Sequence, residues 1–243
     1  MILAVDVGNT QIKLAVFEQN TIKDKKIVSH SSWKMEVQNL LILFAEVDTI
    51  VVASVGNLTN EDFLDLNSKA KVFFITPDCK FPFLNSYATP NTLGVDRMVL
   101  AAGAVQLFPN QNRLVIDAGT CITYDFIDSN NVYHGGAISP GTRLRYESLH
   151  NYTSKLPLLT LENPEAIIGN STQQAMHSGV INGITFEIDS FISSVLDKND
   201  NFIIILTGGD AEFLAKRLKN TIFANPNFLL ESLNQTFQYN HND

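Results

Sequence analysis

The sequence has little cysteine, no strongly basic stretch and no long apolar run, and each shortage removes a class of protein. Cys79 and Cys121 are the only cysteines among 243 residues and stand in neither CxxC nor Cys-His spacing, so neither a disulfide framework nor a zinc site is expected. A reducing cytoplasm fits that usage. No apolar run approaches the roughly 18 residues of a membrane span, and Met1 leads straight into a strand pattern without a basic leader. The formal net charge is −8 and the pI about 5.1, which disfavours a nonspecific grip on nucleic acid or anionic lipid. The nearest basic cluster, Lys23, Lys25 and Lys26, has Asp24 among it and reads as a solvated hairpin turn. Neither a P-loop lysine motif nor GxGxxG occurs.

What is present is the composition of an ordinary globular protein, 45% hydrophobic and 17% charged, long enough for one large domain or two smaller ones. Ile2 to Val5 is apolar, Asp6-Val7-Gly8-Asn9-Thr10 interrupts, and Ile12, Leu14 and Val16 then alternate with Lys13 and Ala15. This reads as strand, tight turn, strand. The unit recurs almost half a chain later: Arg113 to Ile116 leads into Asp117-Ala118-Gly119-Thr120, and Ile122, Tyr124 and Phe126 alternate beyond it. Two similar domains, 1–111 and 112–243, explain the repeat, with a polar breaker at Pro109-Asn110-Gln111-Asn112. Strands are expected over 49–55, 72–75 and 202–206. Helices are expected over 61–69, after the turn-forming Gly56-Asn57, and over 96–107, 172–196 and 211–219. That alternation predicts an α/β architecture with covered sheets.

The hairpin Asp6 to Thr10 has the makings of a phosphate site. Gly8 lets backbone approach a ligand, amides and the Thr10 hydroxyl can donate to phosphate oxygens, and Asp6 can hold a hydrated divalent cation. Taken alone, an ordinary β-turn explains the same residues. The second copy adds acid, glycine and hydroxyl at Asp117, Gly119 and Thr120. A third segment, Thr207-Gly208-Gly209-Asp210, follows a strand and precedes a helix, where glycines admit a nucleotide. At Gly94-Val95-Asp96-Arg97, a carboxylate at a helix start can reach a substrate hydroxyl while the guanidinium pairs with a substrate carboxylate. The plainer alternative is a helix N-terminal acid with Arg97 in a surface ion pair.

In this order the three segments resemble the phosphate and adenosine motifs of the superfamily of acetate and sugar kinases, heat-shock chaperones and actin. That resemblance implies duplicated ribonuclease-H-like (actin-like ATPase) domains with an interlobe ATP cleft. Within the superfamily the chain resembles type III pantothenate kinases over nearly its whole length. The resemblance rests on Asp6 to Lys13, Tyr87 with Pro90, Gly94 to Arg97, Asp117 to Thr120, Gly135 to Gly141, Gly169 to Thr172, and Ser178-Gly179.

It implies ATP-dependent phosphorylation of pantothenate to 4′-phosphopantothenate, the first step of coenzyme A biosynthesis. ATP would be bound by Asp6, Val7, Gly8, Asn9, Thr10, Gln11, Ile12, Lys13 and Thr120, with magnesium on Asp6 through water. Pantothenate would meet Tyr87, Gly94, Val95, Asp96, Arg97 and Thr172, with Asp96 as general base. Asp117 would bind a monovalent cation, potassium or ammonium. A cytoplasmic homodimer is implied as well. His134 and His177 fall on no functional position of the family and are expected to be structural or surface residues, and Cys121 a neutral buried thiol. The stretch Thr142 to Glu147 is more charged than the resemblance leads one to expect. The rival readings are a kinase for another small hydroxy metabolite and a non-catalytic regulatory relative of the same fold.

Overall fold

The first apolar run and its alternating partner pair antiparallel as β1 (Ile2–Val7) and β2 (Ile12–Glu18), which sets Asp6 opposite Lys13. In this computed structural model, which describes residues 1–56, 58–66, 69–196 and 201–241, β3 (Thr21–Val28) continues the meander. Lys23, Lys25 and Lys26 therefore lie on an edge strand and not in a hairpin turn. Lys23 pairs with Glu18, Lys26 with Glu36, and Lys25 donates to the Asn227 side chain. Charged residues on an edge discourage pairing with another chain, which accounts for lysines at this place in the sheet.

α1 (Trp33–Leu43) crosses over to β4 (Thr49–Ser54), which runs parallel to β1, and β5 (Lys71–Phe74) runs parallel to β4. The helix expected over 61–69 is a 3-10 stretch at Asn60–Leu66; Asn67, Ser68 and the turn residue Asn57 lie outside the described residues. After the short β6 (Leu84–Asn85) comes α2 (Val95–Leu107). The motif then repeats as β7 (Asn112–Ala118), β8 (Cys121–Ile127) and β9 (Val132–Pro140). The charged stretch opens α3 (Thr142–Asn151). In place of one helix over 172–196 there are α4 (Thr172–His177) and α5 (Gly183–Leu196), joined by a π-helical turn at Ser178–Asn182. β10 (Phe202–Thr207), α6 (Ala211–Ala215), β11 (Phe223–Ala224) and α7 (Phe228–His241) complete the chain. Among the described residues, no helix is long and apolar enough to cross a membrane.

Two units result. The first holds Met1–Pro109, Asn131–Tyr133 and the chain from Asn227 onward; the second holds Asn110–Asn130 and His134–Pro226. Strand order in the first sheet is β3-β2-β1-β4-β5, and in the second β9-β8-β7-β10-β11, with the two-residue β6 added at the β9 edge. The same order twice, three strands consecutive in sequence followed by two parallel ones, is the duplicated ribonuclease-H-like α/β fold that the repeated motif predicts.

One face of the first sheet packs Leu3, Val5 and Leu14 against Trp33, Val37, Leu40 and Phe63, while α2 and α7 cover the other. Burial on both faces explains why β1 reads as continuous apolar residues. A Cβ at Gly103 would run into the side chain and Cα of Ser232, so α2 and α7 cross at closer range than a larger residue allows. That crossing fixes the helix whose first turn carries Asp96 and Arg97. In the second unit, Leu114, Ile116 and Tyr124 pack against Ile184, Ile188 and Ile192 at helical spacing on α5.

Candidate active site

The first unit gathers most of the residues singled out in the sequence. Asp6, only 5% exposed, sits near the C-terminal end of β1, and Lys13 extends across the hairpin to place Nζ 3.7 Å from Asp6 Oδ2. The turn between them closes through the Gly8 amide, which donates to the Gln11 carbonyl at 3.2 Å. That amide is therefore committed to the turn and does not offer itself to a ligand. Val7 and Ile12 bury their side chains in the core, so only their backbone can serve a nucleotide, whereas Asn9, Thr10 and Gln11 are exposed. His30, not singled out in the sequence, hydrogen-bonds the Gly8 carbonyl through Nε2 at 3.0 Å. No local pattern announces it, because the partner lies across the chain.

Gly94 stands at the N-cap of α2 with extended ψ, and Asp96 lies in the first helical turn. The Asp96 carboxylate folds back, Oδ1 accepting from the Arg97 amide at 2.8 Å, and occupies the space into which a Cβ at residue 94 would project. Glycine thus leaves room here for the carboxylate's position and does not answer to a special backbone angle. Burial pushes the Asp96 carboxyl above the usual carboxylate range, opposed by the Arg97 amide bond and by the Arg97 and Lys13 charges. Lys13 accordingly acts on both carboxylates.

Arg97 is 6% exposed, which replaces the surface ion pair of the plainer reading with a buried guanidinium. Its Cζ lies 5.8 Å from the centre of the Tyr87 ring, within cation–π range. Tyr87 in turn meets Tyr133 edge to face, with centroids 6.1 Å apart. Val95 is buried.

The second unit builds the other turn. Asp117 on β7 stands opposite Thr123 of β8 and Thr207 of β10. Both threonine hydroxyls are buried with no hydrogen-bond partner, so three oxygen-bearing side chains share one face. Gly208 takes a positive φ of 99°, and a Cβ there would strike the Ala118 carbonyl and the Asp117 carboxylate. Its glycine serves Asp117. Gly209 faces open space and lines a cavity of about 600 Å³ with Asn163, Glu212, Phe213, Lys216 and Arg217. Asp210 follows, its carboxyl pushed up by burial. At the turn itself the Gly119 amide donates to the Cys121 carbonyl at 3.0 Å. Cys121 is exposed, contrary to the expected buried thiol, because the strand leaves the sheet at the turn.

Thr172 is the first residue of α4 and is exposed; the capping hydroxyl is that of Ser171, which accepts from the Gln174 amide at 3.2 Å. His177 is buried against Tyr146, Nδ1 to hydroxyl 2.8 Å, and burial pushes that phenol up to about 12. His134 Nε2 meets Asp128 Oδ2 at 2.8 Å.

Residues 2–194 match the family model described as type III pantothenate kinase. A type III pantothenate kinase of Flavobacterium psychrophilum is 62% identical over 239 residues, 98% of this chain and 99% of that protein. One from Bacteroides fragilis is 37% identical over 242 residues, 99% of each chain. Among solved structures, a Baf family protein of Campylobacter jejuni, described as a candidate transcriptional activator, aligns with TM-score 0.62 at 22% identity, covering 99% of this chain and 100% of that one. Glucokinase from an Antarctic psychrotroph aligns with TM-score 0.53 at 11% identity, covering 100% of this chain and 99% of that one. At such identities the two structures speak to the fold.

Proposed function

Because the chain belongs to the type III pantothenate kinase family, it phosphorylates pantothenate with ATP to 4′-phosphopantothenate, the first step of coenzyme A biosynthesis, and we propose which residues perform the transfer. The observation that carries this assignment is the gathering of Asp6, Lys13, Asp96, Arg97 and Tyr87 within one unit, about the first turn of α2.

Asp96 accepts the proton of the pantothenate primary hydroxyl. Phosphoryl transfer passes through a loose transition state, so the base receives its proton late and alignment matters more than base strength. A carboxyl held above its ordinary range is a somewhat better acceptor all the same. Arg97 holds the pantothenate carboxylate through paired N–H bonds, its guanidinium lying beside the Tyr87 ring. Gly94, Val95 and the Thr172 hydroxyl complete the substrate contacts.

Each unit supplies one phosphate turn: the hairpin from Asp6 to Lys13 in the first, and Thr120 in the second. Magnesium would be held by nucleotide phosphates and water, with the Asp6 carboxylate behind the water. Held in that way it would neutralise phosphate charge. Asp117 with the orphaned Thr123 and Thr207 hydroxyls offers the oxygen-only donor set that suits a hard monovalent cation. Such an ion would offset the repulsion between a carboxylate and phosphate. A homodimer, implied by the family resemblance, and a cytoplasmic location, supported by sparse cysteine, belong to the same reading.

The test is product analysis by mass spectrometry after incubation with ATP, magnesium, potassium and a panel of hydroxyl metabolites. Phosphopantothenate should dominate. Faster phosphorylation of another metabolite, or no ATP turnover with any, would overturn the reading.

A further inference from the structure

The charged start of α3 has a use that the active-site residues leave unassigned. Arg143 pairs with Glu147 on the surface, Nε to Oε1 2.6 Å, but Arg145 turns toward the segment that precedes its own helix. Its Nε donates to the Pro140 carbonyl at 2.9 Å and its second amino group to Ser139 Oγ at 2.9 Å. The same amino group meets Glu187 Oε2 at 2.5 Å. Glu187, on α5, also accepts from the Tyr124 hydroxyl at 2.9 Å. Although burial alone would raise it, hydrogen bonds from Arg145, Ser139 and Tyr124 hold the Glu187 carboxyl below the usual range, so the guanidinium is matched by a carboxylate. One planar group thus ties a carbonyl and a hydroxyl at the end of β9 to a helix.

What it ties down is the next residue. The Gly141 amide donates to the Thr120 carbonyl at 3.0 Å, and a Cβ at position 141 would strike the carbonyls of Gly119 and Thr120. The strap Ser139-Pro140-Gly141 therefore backs directly onto the second phosphate turn. We infer that Arg145 is a positioning residue for ATP use: it fixes this strap from behind and thereby sets the Thr120 turn. The inference rests on Thr120 serving the nucleotide phosphates, as proposed above. A lysine in its place keeps the charge but, having a single donor head, cannot span Pro140, Ser139 and Glu187 at once.

Steady-state kinetics of Arg145→Ala, Arg145→Lys, Thr120→Ala and the Arg145→Ala/Thr120→Ala double variant test it, together with amide hydrogen exchange over residues 118–122 of the free protein. Arg145→Ala should raise KM for ATP on the order of tenfold, less than the roughly 10²-fold that a 1 Å misplacement can cost. KM for pantothenate should stay within about twofold. Exchange at 118–122 should quicken, Arg145→Lys should fall between parent and Ala, and the double variant should be no worse than the worse single one, because both act through one turn. Should Arg145→Ala fail to fold, Arg145→Lys carries the same comparison. Equal changes in both KM values, unchanged exchange at the turn, or multiplicative effects would overturn the inference while leaving Thr120 in place. If Thr120→Ala itself leaves KM for ATP at the parental value, the phosphate role of Thr120 fails, and the inference falls with it.

Discussion

Lys13 and Asp6 face each other across the first hairpin with Nζ 3.7 Å from Oδ2, and the same ammonium lowers the proton affinity of Asp96. A lysine chosen from the sequence for phosphate binding thus also tunes the proposed base. Lys13→Met should raise KM for ATP and, by removing the charge that favours ionised Asp96, shift the acidic limb of the kcat/KM profile for pantothenate to higher pH. A limb that stays where the parent has it would separate Lys13 from Asp96.

Asp96→Asn should lower kcat by about 10²- to 10⁴-fold, the usual scale of a general base, without lowering the melting temperature at neutral pH. The sign follows from the raised carboxyl. Burial penalises the charged form in the folded protein, so parental stability improves as pH falls through the raised folded value. Asparagine carries no such penalty at any pH, and the gap in melting temperature should close on acidification. Turnover within about twofold of the parent would remove Asp96 from the chemistry.

Two glycines of one neighbourhood should respond in opposite ways. Gly94→Ala meets the movable end of the Asp96 side chain at φ −59°, which alanine tolerates. It should cost activity, on the order of 10- to 100-fold in kcat, and little stability. Gly103→Ala meets the Ser232 side chain and Cα at the crossing of α2 and α7. It should cost about 1–3 kcal/mol of stability, with kcat per folded molecule retained. Thermal unfolding and active-site-normalised kinetics distinguish the two, and the reverse pattern would contradict both placements.

Arg97→Lys should weaken pantothenate use despite preserving charge, and Arg97→Ala more so, since an ammonium cannot reproduce paired guanidinium bonds. A contact made equally in ground and transition states appears in KM for pantothenate; one that also sets the attack angle lowers kcat too. KM for ATP should move little. Pantothenol, which lacks the carboxylate, is the control. An equal penalty on both substrates would make Arg97, buried beside Tyr87, a structural residue.

Thr207→Val removes a buried hydroxyl that has no protein partner while keeping shape. Leaving such a group unsatisfied costs about 1–3 kcal/mol, so the variant should be at least as stable as the parent. If Asp117, Thr123 and Thr207 hold a monovalent cation, the potassium concentration for half-maximal activity should rise, measured against a bulky organic cation. An unmoved activation curve would argue that the hydroxyl is only structural.

Both hairpins were legible because their signal is local: period-two alternation broken by turn residues marks β1–β2 and β7–β8 directly. α3 and α7 were not. α3 begins with the charged residues Thr142 to Glu147, and α7 buries Ser232, Asn234 and Thr236 among its apolar positions, so neither shows a clean apolar stripe. β3 was misread because its lysines serve an edge strand, and edge position is a property of the sheet.

The sequence by itself determined the repeated strand-turn-strand unit, the acids and hydroxyls at each turn and the Gly94 to Arg97 segment, since each is written in adjacent residues. Tertiary structure alone decided that α7 returns to the first unit to cross α2 at Gly103. It also decided that Gly208 makes room for the Asp117 carboxylate, that Arg97 is buried over Tyr87, and that Arg145 braces the strap behind Thr120. These relations join residues far apart in the chain through close packing and directional hydrogen bonds, and neither leaves a periodicity that composition or spacing can reveal.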